Sequence, residues 1–386
     1  ITPDQGTTSG QQSHPTNFNH ANLALAGATA REALIKMGAT RLGVPAPDLV
    51  ARDGRVEVKA TPTRNVAYGD LIGGQRFNLP LDQAAKRKHP SEWTVLGTAV
   101  PRVDMREMVT GRFEFVHNVK VPNMLHGRVV RPPEVGATVG SVDESSIRDL
   151  PGIVKVVVKG NFVGVVAQKP WQAMQAAERL KVTWTRGTSL SPQADLYSEL
   201  RKQPARDTLL VDSGDVDAKL KAATTVVRAT YNHPYQMHAS MRSSCAVPDV
   251  QGDKATIWSA TQSAFPTRNT SAMLLGLKQE DIRVIYVRGA GCYGINGADT
   301  VSYDAALLSQ AVGKPVRVQL SRKDEMAWEN YGNAFSIDQR VVLDANSNIA
   351  VWDYEAWSAA RGGRPGYNTP GNVVTGFLAG SSPGAF

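Results

Sequence analysis

Cysteine is scarce in this chain of 386 residues, which contains only Cys245 and Cys292. Two thiols are too few for a disulfide framework, a four-thiolate metal site or a four-cysteine iron–sulfur cluster, and they leave open only a single bridge. Long apolar runs are also missing, since no stretch approaches the ~18 consecutive residues that span a bilayer. Ile1 opens no secretion signal, and without an initiator methionine we expect a fragment whose targeting signals lie elsewhere.

Several catalytic motifs are absent as well. No Gly-x-Ser-x-Gly string occurs, which removes the serine hydrolases that use a nucleophile elbow. The chain has no Gly-Lys-Ser/Thr phosphate loop, and it lacks the acidic residue that completes a dinucleotide-binding fingerprint. His233 and His238 are five residues apart, which does not place two imidazoles on one helix face, so zinc binding is disfavoured.

What is present is an ordinary globular composition, with 42% apolar and 20% charged residues. At roughly 100–200 residues per domain, the length predicts two or three domains. The 43 basic and 35 acidic residues give a net charge of +8, which permits acidic partners. The densest basic run, Lys86–Lys88, lacks interleaved aromatic residues, so nucleic-acid binding is disfavoured.

Hydrophobic periodicity divides the chain into three regions. A polar loop over residues 2–19 precedes a helix predicted over Ala21–Leu42, and a loop that feeds a helix N-terminus is suited to phosphate. Two more helices are predicted over Pro170–Leu180 and Thr300–Val312, the second one closed by Gly313. Period-two patterns predict strands over residues 53–59, 124–130, 154–158, 162–167, 225–231, 255–259, 283–288 and 316–320, with a short element over 68–72.

Three segments invite a functional interpretation. Arg288–Gly297 is a glycine-rich turn between a strand and a helix, where backbone N–H groups can approach a ligand closely, although a tight turn without a ligand is equally compatible with it. Tyr235–Cys245 offers the Gln236 amide, while its His238 is more often a core or turn histidine. Asp324 and Glu325 are charged residues of a kind that usually mark a solvated helix start.

The chain also carries motifs of one known family. They run along nearly its whole length, as Thr2–Gly10, Met124–Pro133, Phe162–Ala167, Gln236–Met241, Gly289–Gly294, Gly313–Val318 and Arg322–Glu325. In this order they resemble the molybdenum-binding subunit of the xanthine dehydrogenase and aldehyde oxidase family. The resemblance is to the branch with isoquinoline oxidoreductase, the molybdenum-binding subunit of nicotinate dehydrogenase and the membrane-bound bacterial aldehyde dehydrogenases.

The resemblance implies an α+β fold, in which an α/β hammerhead module is joined to molybdopterin-binding domains of the xanthine dehydrogenase type. Residues 1–90 would form the N-terminal piece of a molybdopterin-binding domain plus a connector. Residues 101–186 would form the hammerhead, and residues 205–386 the first molybdopterin-binding domain, incomplete at its C-terminal side.

The resemblance also implies the site. Gln236 would lie near the oxo or sulfido ligand of molybdenum, and the metal itself would be held by the pterin rather than by this chain. The expected cofactor contacts are Thr8, Ser9, Gly10, Gln11, Gln12, Ser13, Gly291, Cys292, Tyr293 and Gly294. Gly297 stands where purine-oxidising members carry a glutamate, which disfavours purines, and Arg242 stands where the branch has a small residue. The catalytic glutamate is expected outside this fragment.

The implied function is oxidation of an aldehyde to a carboxylic acid, with water as the oxygen source. Hydroxylation of an aromatic N-heterocycle such as nicotinate or isoquinoline is the alternative, and a non-catalytic assembly or binding module is the third. The cofactor would be molybdopterin, with a dinucleotide form left open. Two-iron two-sulfur clusters and haem c are expected in a small iron–sulfur subunit and a c-type cytochrome subunit. The complex would lie on the periplasmic side of the bacterial inner membrane, with membrane contact through a partner.

Overall fold

The computed structural model describes residues 24–95, 97–188, 190–293, 300–329, 331–359 and 370–383. The chain divides into two compact units, of which the first is Thr2–Phe113 and the second is essentially Glu114–Phe386. Among the described residues, no helix has the length and apolar character needed to cross a membrane.

The first unit packs a long helix on a small antiparallel sheet of strand order β1-β2-β3. Its elements are α1 (Leu25–Leu42), β1 (Leu49–Arg52), β2 (Arg55–Val58), β3 (Thr61–Ala67), α2 (Tyr68–Ile72) and α3 (Met105–Val109). The helix predicted up to Leu42 is confirmed in its described part, and it ends because Gly43 adopts a left-handed conformation. Leu34 of the helix and Val56 of the central strand lie at the centre of the core.

The second unit contains the remaining elements. They are β4 (Leu125–Val130), β5 (Val139–Asp143), β6 (Ile153–Lys159), β7 (Phe162–Ala167), α4 (Pro170–Arg179), β8 (Lys181–Trp184), α5 (Leu196–Lys202), α6 (Val216–Ala222), β9 (Val227–His233), β10 (Gln236–Met237), β11 (Cys245–Gln251), β12 (Lys254–Ser259), α7 (Ala264–Leu275), β13 (Ile282–Tyr286), α8 (Thr300–Val312), β14 (Val316–Gln319), α9 (Arg322–Trp328), β15 (Tyr331–Gly332), β16 (Phe335–Leu343), β17 (Ile349–Ser358) and α10 (Val374–Leu378).

A seven-stranded mixed sheet is the centre of this unit, with the order β13-β12-β11-β14-β4-β7-β6. The β12–β13 and β14–β4 pairs are parallel and the other pairs are antiparallel. Strands from the predicted hammerhead region and from the region after residue 205 therefore share one sheet. The predicted α+β class is confirmed, while the domain boundaries at 90, 101, 186 and 205 stay predictions.

Helix α8 lies directly on this sheet because two strands carry glycine beneath it. A Cβ on Gly127 would lie 2.6 Å from one methyl carbon of Leu308, and a Cβ on Gly164 would lie 2.7 Å from the other. Leu308 is fully buried, so its side chain fills the space that the two glycines leave. The helix predicted over Thr300–Val312 is confirmed, and most of its residues are buried.

A second sheet, of order β17-β16-β9, is held to helix α5 by an ion pair. The guanidinium of Arg201 donates to both carboxylate oxygens of Asp338, at 2.7 and 2.8 Å, and lies 4.1 Å above the ring centroid of Trp357. The Thr230 hydroxyl donates a further bond of 2.7 Å to the same carboxylate. These donors, with that of Arg201 first, lower the pKa of Asp338 to about 2.

Candidate functional site

The glycine-rich turn begins after strand β13 and is described as far as Tyr293. Gly291 has a φ of +126°, which residues with a side chain rarely adopt, and Tyr293 has a φ of +55°. A Cβ on Gly291 would lie 3.1–3.2 Å from the hydroxyl oxygen and two ring carbons of Tyr293. The backbone angle therefore requires glycine at position 291, and any side chain there would also push the Tyr293 ring aside.

The segment after Gln236 reaches the same region and is fixed there by helix α9. The backbone N–H and the hydroxyl of Ser244 each donate to one carboxylate oxygen of Glu325 at 2.8 Å. Arg322 donates to the other oxygen at 2.6 Å and to the carbonyl of Ser240 at 2.6 Å. Glu325 is fully buried, so this carboxylate joins the 240–244 loop to the first turn of α9.

The loop and the turn meet at a shallow pocket that opens to solvent. It is lined by Val116, His117, Ser240, Arg242, Ser243, Ser244, Cys245, Ala260, Gly289, Ala290 and Gly291. On the turn side the wall is backbone and one methyl group, since two of its three residues are glycine. On the loop side the wall is polar and cationic.

His117 belongs to this pocket although it lies far away in the sequence. Its Nε2–H donates to the carbonyl oxygen of Ser243 at 2.9 Å, and the ring's Nδ1 has no hydrogen-bond partner among the described residues. Burial is the main cause that lowers the pKa of His117, and the charges of Arg242 and Arg317 lower it further, against an opposing effect of the bond to Ser243. The imidazole is therefore neutral near pH 7.

The other predicted site residues do not line this pocket or lie outside the described residues. Gln236 is exposed on β10, where it pairs with Gly332 of β15, and it is not among the described residues that line the pocket. Cys292 is half-buried, and the side chain of Tyr293 is 64% exposed. The predicted contacts at Thr8, Ser9, Gly10, Gln11, Gln12 and Ser13, and Gly294 of the turn, lie outside the described residues. The predicted cofactor contacts of all these residues stay predictions.

The sequence interpretation was wrong for one residue and silent on another. Asp324 marks a helix start as expected, because it accepts a hydrogen bond from the hydroxyl of Ser321, but its neighbour Glu325 is buried rather than solvated. A helix-capping pattern does not show which of the two carboxylates is buried. Glu325 is bound by Ser244, which lies far from it in the sequence. His117 follows no motif, so no signal in the sequence pointed to it.

Among the described residues, no group of three or more His, Cys, Asp or Glu is arranged to hold a metal ion.

Known proteins resemble the chain in both sequence and fold. Residues 200–374 match the family model of the molybdopterin cofactor-binding domain. The chain is 39% identical over 362 residues to a nicotinate dehydrogenase subunit of Pseudomonas putida, covering 92% of this chain and 30% of that protein. It is 27% identical over 351 residues to the membrane-bound aldehyde dehydrogenase [pyrroloquinoline-quinone] of Gluconacetobacter polyoxogenes, covering 86% of this chain and 45% of that protein. The chain thus spans less than half the length of either relative.

A solved structure supports the fold. Quinoline 2-oxidoreductase from Pseudomonas putida 86 superposes with a TM-score of 0.55 at 18% identity, covering 67% of this chain and 39% of that chain. At this level of identity the likeness concerns the fold alone.

Gly289 and Gly291 leave backbone rather than side chains at the pocket wall, which is a surface that a cofactor can approach closely. The family resemblance expected from the sequence motifs is confirmed by the matches to the domain model and to the two relatives. The chain therefore carries a molybdopterin cofactor-binding domain at residues 200–374 and is similar to the molybdenum-binding subunits of the xanthine dehydrogenase and aldehyde oxidase family.

Proposed function

We propose that this chain is the cofactor-binding part of a molybdenum hydroxylase that oxidises a ring carbon of an aromatic N-heterocycle. The observation that carries the proposal is the 39% identity to the nicotinate dehydrogenase subunit, which extends over 92% of the chain. Oxidation of an aldehyde to a carboxylic acid is the second candidate, and the 27% identity to a membrane-bound aldehyde dehydrogenase favours it. Both reactions use one cofactor and differ in the carbon that is attacked.

When bound, the molybdenum cofactor supplies the two-electron oxidation, with water as the source of oxygen. In this proposal the chain's own residues orient the group. The turn at Gly291 presents backbone N–H and carbonyl groups, and the amide of Gln236 donates and accepts hydrogen bonds near the metal. Glu325 holds the loop that follows Gln236, so the position of the loop is fixed before any ligand arrives.

Two electrons have to leave after each turnover, and the two cysteines of this chain do not suffice for an iron–sulfur cluster. The proposal therefore includes a small subunit with two-iron two-sulfur clusters and a c-type cytochrome subunit as the eventual acceptor. It also places the complex on the periplasmic side of the bacterial inner membrane, with a partner subunit making the membrane contact. The base that activates the oxygen nucleophile is a glutamate outside the residues of this chain.

The test is metal analysis and turnover with the complete enzyme, purified with its partner subunits. We expect stoichiometric molybdenum and pterin, and oxidation of nicotinate with a c-type cytochrome as acceptor. Turnover of acetaldehyde with none of nicotinate would replace the lead function by the second candidate. An enzyme without molybdenum and pterin would overturn both and favour a non-catalytic module. Partner subunits without iron–sulfur absorbance would overturn the proposed electron route.

A further inference from the structure

Arg242 brings a positive charge to the pocket between the 240–245 loop and the glycine turn. It is one of the lining residues and is exposed, and it forms no hydrogen bond or ion pair with any residue that the structure describes. An exposed arginine is ordinary by itself. At this place it matters because the residues around it are buried and polar, and because a guanidinium binds planar oxyanions with two parallel hydrogen bonds.

Ser240 supplies the second observation. The residue is only 2% exposed and lines the same pocket, and its hydroxyl has no hydrogen-bond partner within the described part of the chain. An unpaired buried hydroxyl is destabilising, so native proteins rarely retain one without a use. Its backbone is held in place, because Arg322 donates to the Ser240 carbonyl. The hydroxyl is therefore a preplaced donor.

No described carboxylate that lines or supports the pocket neutralises Arg242. Glu325 is the acidic residue that supports the loop, and its two oxygens are already occupied by Arg322 and Ser244. His117, which lines the pocket as well, is neutral and donates its one N–H to the carbonyl of Ser243. The pocket therefore carries one unpaired positive charge, one unpaired hydroxyl and a turn whose wall is mainly backbone.

We propose that Arg242 and Ser240 bind the carboxylate of the substrate, and that the enzyme therefore prefers carboxylate-bearing molecules to neutral ones of the same shape. The inference rests on the proposed function, because it assigns the reacting molecule to the turn at Gly291. The pocket is shallow and opens to solvent, so it can hold a carboxylate at its rim while the ring of the substrate stays outside. The ring then projects out of the pocket alongside the turn. Arg242 is a specificity residue here and takes no part in bond making.

The first experiment measures binding to the dithionite-reduced enzyme without oxygen, where nicotinate cannot be oxidised. Isothermal titration of the complete enzyme with nicotinate and with nicotinamide compares an anion with a neutral molecule of the same ring. Arg242→Gln is expected to weaken nicotinate binding by about tenfold, the equivalent of one charge-assisted hydrogen bond, and to leave nicotinamide unchanged. Arg242→Lys should recover part of the loss. Arg148→Gln is the matched control, because Arg148 is also exposed and lies outside the pocket.

The second experiment separates substrate carboxylate from cofactor phosphate. The molybdenum and pterin content of Arg242→Gln is expected to equal that of the unsubstituted enzyme, and inorganic phosphate is expected to bind more weakly than nicotinate. Loss of the cofactor from Arg242→Gln, or tighter binding of phosphate, would overturn the proposal, because the anion would then be the phosphate of the pterin. Equal weakening of nicotinate and nicotinamide would overturn it too, as would no change in either.

Turnover supplies the third measurement. With benzaldehyde and 4-carboxybenzaldehyde as a second pair, Arg242→Gln should raise KM for the carboxylated member about tenfold and leave kcat nearly unchanged, since uniform binding is lost. A fall of kcat for both members would contradict a role in specificity. If the complete enzyme contains no molybdenum, the proposed function fails. Even then, the titration tests the carboxylate pocket independently, because it compares the binding of nicotinate and nicotinamide and requires no turnover.

Discussion

Replacing Glu325 with alanine is expected to destabilise the second unit and to loosen the loop beside the pocket. The side chain of Glu325 is fully buried, and it accepts from Arg322 at 2.6 Å and twice from Ser244 at 2.8 Å. Removing one partner of a buried ion pair usually costs about 3–5 kcal/mol. We expect the lower end, about 3 kcal/mol, because the Arg322 side chain is 46% exposed and water can solvate it. Most of the cost then comes from the part-buried N–H and hydroxyl of Ser244, which lose their acceptor.

Denaturant unfolding measures this loss, and Glu325→Gln should lose less, about 1–2 kcal/mol, because it keeps the shape and one acceptor. Trypsin gives a local readout, since Arg242 lies in the loop: cleavage after this residue should accelerate in Glu325→Ala. Glu280→Ala is the control, because Glu280 is exposed and a surface change of this kind stays within about 0.5 kcal/mol. If Glu325→Ala proved as stable as the control and as resistant to trypsin as the unsubstituted protein, the reasoning about the buried carboxylate would be wrong.

Three further perturbations follow from the packing. Gly127→Ala should destabilise the large sheet by about 1–3 kcal/mol in urea unfolding, because the added methyl group displaces Leu308. Gly291→Ala should lower the molybdenum content of the purified enzyme and reduce stability by about 1–3 kcal/mol, since its φ of +126° suits only glycine. Asp338 has a folded pKa of about 2 against an ordinary value of 3.8, so its contribution to stability is present above pH ~4 and is lost as the pH falls through about 2. Arg201→Gln should abolish that acid transition, which can be monitored by tryptophan fluorescence.

The controls for these changes lie in the same unit. Gly252 has a φ of +60° with open space around its Cβ position, so Gly252→Ala tests the effect of backbone strain without a clash. A molybdenum content that falls equally in Gly252→Ala and Gly291→Ala would contradict a local role of the turn. An unchanged urea midpoint in Gly127→Ala would mean that helix α8 shifts without cost. An acid transition that persists in Arg201→Gln would belong to other carboxylates.

Elements with a strong local signal were predictable from the sequence. Helix α8 combines an apolar run with a glycine stop, and the strand at Phe162–Ala167 is a continuous apolar run that the structure buries completely. Helix α7 was missed because Ala264–Leu275 contains Pro266 and several hydroxyl residues, which favour turns. In the structure these hydroxyl residues are buried, and the hydroxyl of Thr267 forms a 2.9 Å hydrogen bond with that of Thr261, which lies just before the helix. Such pairing depends on the fold and leaves no periodicity in the sequence.

In the candidate site, too, the locally determined part was predictable from the sequence and the part assembled from distant segments was not. The strand–glycine–helix pattern predicted the turn, since the need for glycine at Gly291 is a local property of the backbone. The pocket required Ser240, His117 and the loop support of Glu325 to meet from segments far apart in the chain. No spacing rule links residues that are brought together by a sheet of mixed strand order.

The position of β4 in the large sheet has a consequence for synthesis. Strand β4 lies between β7 and β14, and its pairing with β14 joins residues near 125 to residues near 316. At ribosomal rates of ~5–20 residues per second, β14 follows β4 after roughly ten to forty seconds. During that interval β4, β7 and β6 can associate, but the other edge of β4 exposes unpaired N–H and carbonyl groups. We therefore expect nascent chains to need chaperone protection until β14 has emerged, and a gene split between these two strands to yield an aggregation-prone N-terminal half.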